Sequence, residues 1–188
     1  MKKKVFVISR GIGYWRTFFK NNGFEITPNY LEADLFQYTG GEDISPELYK
    51  EVNTKSHNNF DRDLYESGWF AIGRRLGIPQ AGICRGGQFL NVMCGGSMEQ
   101  DVSGHTGDHI MKTINGHTIK VTSTHHQMMV PNNRAIILGQ ADIVHECDPE
   151  VVLYQREKCL CFQPHPEFGR YPELTGYYFG LINEYLVN

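Results

Sequence analysis

The stretch Pro79-Gln80-Ala81-Gly82-Ile83-Cys84-Arg85-Gly86-Gly87-Gln88-Phe89-Leu90-Asn91-Val92 constrains the fold more than any other part of the chain. It reads as a buried strand that runs into Cys84 and turns through glycine into a helix. Gly82 and Gly86 flank the cysteine at the spacing of a nucleophile elbow, where the missing Cβ atoms let strand and helix pack closely. Such a turn holds its central side chain at a strained, exposed apex. The helix N-terminus behind Cys84 favours negative charge there. The backbone N–H of Arg85 then points to where an oxyanion would form. The same residues also suit a plain buried cysteine in a tight turn.

Around this unit the pattern alternates between strands and helices. Val5–Ile8, Phe24–Thr27, Asp34–Tyr38 and Pro79–Ile83 read as strands. Tyr14–Lys20, Asp61–Leu76 and Gly86–Met93 read as helices, and residues 44–60 as a polar loop. Beyond Gly95-Gly96 the chain changes to short strand-like pieces over residues 97–130. Ile119–Val121, Ala135–Leu138, Val151–Tyr154 and Cys159–Phe162 follow as strands, and Pro172–Val187 as a closing helix. Early alternation and late hairpins predict an α/β fold with a mixed sheet. Tyr177-Tyr178-Phe179 on the last helix suggests an interface, and Arg74-Arg75 a solvated helix end.

Composition narrows the function. At 188 residues, 40% hydrophobic and 21% charged, the chain fits one globular domain spanning 1–188. A net charge of −3, from 18 basic and 21 acidic residues, offers no basic surface for nucleic acid. Apolar runs fall far short of the ~20 residues that cross a bilayer, so no membrane contact is expected. Cys84, Cys94, Cys147, Cys159 and Cys161 make an odd count without an export signal, which predicts a reducing, cytoplasmic setting.

A cysteine nucleophile needs a base, usually a histidine oriented by a third polar group. His165 lies in Phe162-Gln163-Pro164-His165-Pro166-Glu167, just after the last strand. On an extended segment Glu167 would face the same way as His165 and accept from one imidazole nitrogen, leaving the other for Cys84. Two other signals are weaker. Gly11-Ile12-Gly13-Tyr14-Trp15-Arg16 starts like a dinucleotide fingerprint, but Arg16 replaces the third glycine, and it reads as a glycine-bearing loop. Cys159 and Cys161, with His105, His109, His125 and His126, contain no C-x-x-C pair. Gly104 and Gly107 argue against a helix presenting His105 and His109 together, so no metal is expected. Cys159 and Cys161 read instead as one face of a core strand.

Gly82-Ile83-Cys84-Arg85-Gly86-Gly87-Gln88 together with Gln163-Pro164-His165-Pro166-Glu167 resembles the class I glutamine amidotransferase superfamily. Thr39-Gly40-Gly41-Glu42-Asp43-Ile44-Ser45-Pro46-Glu47-Leu48-Tyr49, Arg62-Asp63, Leu90-Asn91-Val92, Gln100-Asp101 and Ser123-Thr124-His125-His126-Gln127 look like its γ-glutamyl hydrolase branch. The resemblance implies a flavodoxin-like α/β fold with a mixed, mostly parallel sheet, and a Cys84–His165–Glu167 triad that works through a γ-glutamyl thioester without a cofactor. It implies an oxyanion hole from the Arg85 amide and the Gly40-Gly41 turn, and a glutamyl site from Gln88 and the backbone at Ser123, Thr124 and His125. The substrate would be glutamine or a small γ-glutamyl amine or peptide. Two further readings follow: a glutaminase subunit supplying ammonia to a synthetase partner in trans, and a non-catalytic binding or regulatory protein on the same fold. The chain departs from the pattern at Pro164, where a bulky residue is common, and at Glu42, where a third glycine is frequent. It is also shorter than most γ-glutamyl hydrolases.

Overall fold

Val5, Val7 and Leu35 fall on one face of a parallel sheet and Ile8, Phe36 and Tyr38 on the other, and both faces are buried. That two-sided burial is why these strands read as nearly continuous apolar runs. The computed structural model describes residues 2–8, 13–103, 105–142 and 148–187. Cys147 and the start of the Gly11-Ile12-Gly13 loop lie outside the described residues.

In chain order the elements are β1 (Lys3–Ile8), α1 (Gly13–Asn21), β2 (Phe24–Ile26), β3 (Leu35–Tyr38), α2 (Phe60–Leu76), β4 (Gln80–Ile83) and α3 (Arg85–Met93). There follow β5 (Ser97–Glu99), β6 (His109–Thr113), β7 (Thr118–Val121), β8 (Met128–Val130), β9 (Ile136–Ala141), β10 (Pro149–Tyr154), β11 (Cys159–Phe162) and α4 (Pro172–Leu181). Among the described residues the main sheet has the order β2-β1-β3-β4-β11-β10-β9-β6-β7, and β5 pairs with β8 apart from it. Strands β2, β1, β3, β4 and β11 are parallel, and β10, β9, β6 and β7 extend the sheet by antiparallel pairing. The fold is α/β and flavodoxin-like, with helices flanking a mixed central sheet.

Several expectations are corrected. The loop over 44–60 contains a short 3-10 turn at Pro46–Tyr49, where Pro46 presets the first position. The closing α-helix stops at Leu181 and continues as one wider π turn over Ile182–Leu186. Tyr178 and Phe179 do not form an external patch. They are buried against Phe18 and Phe19 of α1, so their apolar surface belongs to the core. Cys159 and Cys161 do share one strand face, which packs in the core with Cys94. Arg74 and Arg75 are solvated in the last turn of α2, beside its Gly77 cap.

Strand order positions the site. The parallel neighbours β3, β4 and β11 end side by side, with Tyr38 opposite Gly82 and Ile83 opposite Phe162. The segments that leave them are 39–43, Cys84 and 163–167. All emerge at the carboxyl edge, where open α/β sheets hold their ligands.

Candidate active site

Cys84 sits between β4 and α3 with φ 52° and ψ −116°, a left-handed conformation that costs a non-glycine residue energy. The elbow is held by its surroundings. The Cys84 N–H donates to the Phe162 carbonyl at 2.7 Å, and the Cys84 carbonyl accepts from the Gln88 N–H at 3.0 Å. Helix α3 crosses the sheet so closely that a Cβ on Gly82 would strike the Gly86 backbone. One on Gly86 would lie 2.6 Å from the Tyr38 carbonyl carbon. As the first residue of α3, Arg85 has a backbone N–H with no acceptor inside the helix. Its side chain turns inward and is buried between the carboxylates of Asp63 and Glu66.

His165 lies across from the elbow. A Cβ on Gly40 would stand 3.3 Å from His165 Cε1 and 3.7 Å from Cys84 Cβ, so turn, nucleophile candidate and imidazole share one small space. The His165 Nδ1–H donates to Glu167 Oε1 at 2.7 Å. The pairing matches the sequence reading, but its route does not. Residues 166–168 form a 3-10 turn rather than an extended segment, with His165 as the N-cap and Pro166 in its first position. The turn folds Glu167 back onto the ring. Phe168 stacks on the imidazole at 4.4 Å and 8° between planes, which limits its rotation. His165 Nε2 lies 3.0 Å from the Thr124 hydroxyl. Burial opposes a charged ring, but the neighbouring Cys84 and then Glu167 outweigh it, and the His165 pKa is pushed up to about 10.

Arg62 holds the Gly40-Gly41 turn, a role that no local sequence signal marks. Its Nη2 donates to the carbonyls of Thr39 and Gly40, each at 3.0 Å. Its Nε donates to Glu66 Oε1 at 2.9 Å, and its Nη1 to Glu42 Oε2 at 2.8 Å. One guanidinium thus ties the turn to the carboxylate that also pairs with Arg85. Gly41 has φ 146°, open to glycine but strained for other residues.

The expected glutamyl-site residues separate into two groups. Gln88 is buried on α3, where its Nε2 donates to Gln163 Oε1 at 3.1 Å, and Thr124 faces His165. The Ser123 hydroxyl donates instead to the His105 carbonyl. The His125 ring is turned into a buried group around Glu150, 3.5 Å from its carboxylate. His105 and His109 join that group, brought there by a loop and a strand rather than by a helix.

A sequence profile of the peptidase C26 family matches residues 25–143, well over half of the chain. The protein belongs to the peptidase C26 family. It is a member of the class I glutamine amidotransferase superfamily, and its relatives agree with this. A Lactococcus lactis protein, YvdE, named provisionally as glutamine amidotransferase-like, is 38% identical over 101 residues. Those residues are 52% of this chain and 42% of that protein. The matched stretches make up about half or less of the curated relatives' lengths. A solved glutamine amidotransferase from Thermotoga maritima superimposes with a TM-score of 0.68 at 16% identity, covering 98% of this chain and 86% of that one. A Thermoplasma acidophilum protein described provisionally as a GMP synthase subunit superimposes with a TM-score of 0.65 at 16% identity, covering 98% and 99%. At such identity the likeness is one of fold. The chemistry of this family is that of a cysteine-dependent amidase or peptidase. No helix among the described residues is long and apolar enough to cross a membrane.

Proposed function

We propose that the protein cleaves the side-chain amide of a γ-glutamyl compound, glutamine or a small γ-glutamyl amine, with Cys84 as nucleophile, His165 as base and acid, and Glu167 as its orienting partner. The observation that carries this reading is the single imidazole that is bonded to Glu167 through Nδ1 and shares one small space with Cys84 and the Gly40 turn. The Cys84 sulfur attacks the amide carbon, and its proton resides on His165 Nε2. The oxyanion is received by the Arg85 N–H and by an amide of the Gly40-Gly41 turn. When the C–N bond breaks, His165 returns the proton to the departing amine, leaving a γ-glutamyl thioester. Water, deprotonated by the now neutral His165, hydrolyses the thioester to the free γ-carboxylate and restores the thiol. Gln88, with the backbone at Ser123 and Thr124, lines the glutamyl side in this reading.

A second reading is an ammonia-supplying subunit that works with a separate synthetase. The full-length fold match to a protein described as a synthase subunit favours it. One assay separates the two: the purified chain with glutamine and with a panel of γ-glutamyl amines, beside Cys84→Ala. Release from the amines that disappears in Cys84→Ala supports the free-standing hydrolase. No turnover of any of them, with Cys84 still alkylated by a glutamine-like electrophile, rejects it in favour of the ammonia-supplying reading. Turnover retained in Cys84→Ala would refute both.

A further inference from the structure

Three imidazoles converge on one buried carboxylate outside the triad. His105 Nδ1 lies 3.3 Å from Glu150 Oε1, His109 Nε2 3.2 Å, and His125 Nε2 3.5 Å. None of these contacts has hydrogen-bond geometry, and among the described residues the three nitrogens and both Glu150 oxygens are buried without a hydrogen-bond partner. Unpaired buried polar atoms on this scale are costly. The tautomers sharpen the conflict. His125 Nδ1–H donates to the Gln127 carbonyl at 2.8 Å, and His109 Nδ1–H to the Gly107 carbonyl at 3.2 Å. In the neutral rings both Nε2 atoms therefore aim lone pairs at a carboxylate oxygen, which repels them. A positive charge at this point, on a ring or on a bound cation, reconciles the arrangement.

We propose that His105, His109, His125 and Glu150 form a structural site for a divalent transition-metal ion, zinc by preference. Donors about 2.0–2.1 Å from a tetrahedral zinc stand roughly 3.3 Å apart, which is the spacing between Glu150 and each imidazole nitrogen. The donor atoms of His105, His125 and Glu150 all lie within 4.8 Å of one another, and His109 Nε2, 3.2 Å from the same Glu150 oxygen but outside that trio, completes the shell by a rotamer shift. A set of three nitrogens and one oxygen suits zinc and its first-row neighbours. The surroundings fit as well. Metal-bound histidines usually give their second N–H to a carbonyl or carboxylate. Gly107 and Gln127 supply carbonyls, and Asp148 Oδ2 lies 3.3 Å from His105 Nε2. The charges of Glu150 and Asp148 balance a divalent ion among neutral rings. Pairing between β9 and β10 shifts register on either side of Val151, next to Glu150, the kind of bulge that re-aims a side chain.

With four protein donors the site is closed, and its role is to fasten. It ties the 105–109 segment and His125 to β10. The neighbouring Thr124 is thereby held 3.0 Å from His165.

The test does not pass through turnover. The chain is purified and its metal content measured. It is then stripped with a chelator and titrated with cobalt(II), following the ligand-field bands of tetrahedral cobalt. About one equivalent of zinc as purified, tetrahedral cobalt bands, and a Tm raised by added zinc are expected. Asp148→Asn keeps every donor and should weaken cobalt binding by roughly 10–100-fold. Glu150→Gln and His125→Ala should weaken it further. A folded wild-type chain that binds neither zinc nor cobalt overturns the proposal. So do cobalt bands that persist unchanged in folded His125→Ala and Asp148→Asn.

Discussion

Cys84→Ala tests whether the sulfur, rather than Glu167, holds the proton on His165. The ring is pushed from 6.5 to about 10 against the opposing effect of burial. Cys84 contributes more than Glu167 both as a hydrogen-bond partner and as a charge. The ring in Cys84→Ala should therefore titrate clearly below its wild-type value. Each pH unit of that drop corresponds to ~1.36 kcal/mol of coupling between the two side chains. The assay is a titration of the imidazole proton resonances by NMR in both proteins, with His165→Gln identifying the signal. A parallel readout follows from linkage. Because the folded value is raised, the stabilisation from this proton is complete below about 6.5 and is lost as pH rises through about 10. The stability difference between wild type and Cys84→Ala should shrink across that window. A His165 that still titrates near 10 in Cys84→Ala, with a pH-independent stability difference, would refute the coupling and leave Cys84 as a bystander.

Two further outcomes follow from the same geometry. Arg62→Ala frees the carbonyls of Thr39 and Gly40 and should lower kcat by roughly 10-fold or more, approaching the ~10²–10³ lost with a whole oxyanion donor; wild-type kcat in a folded variant would remove the turn from the mechanism. Alkylation followed by peptide mass spectrometry should modify Cys84 well before Cys159 and Cys161. A hydrogen bond with Cys94 and then burial hold the Cys159 thiol well above its ordinary range, burial and then Cys94 do the same for Cys161, and equal labelling would contradict that ranking.

Much of the protein was determined by its sequence alone, because the signals are local. Apolar runs bounded by glycine and proline marked β1, β3, β4 and β11. The glycines around Cys84 marked the elbow, since only a chain without Cβ at 82 and 86 lets α3 approach the sheet so closely. The pairing of His165 with Glu167 was legible from two residues of spacing, although a 3-10 turn rather than an extended segment achieves it. What the tertiary structure alone decided are the meetings between distant segments. Tyr178 and Phe179 suggested a surface until α4 packed on α1. Arg62 carried no local sign of its grip on Thr39 and Gly40, which requires the start of α2 to lie under the turn that leaves β3. The histidines at 105, 109 and 125 show no metal-binding spacing, because no single helix or hairpin presents them. They meet only where the loop before β6, the segment after β7 and a register shift in β10 come together around Glu150. Periodicity and spacing describe neighbours along a chain, whereas strand order decides which distant side chains must share a buried space.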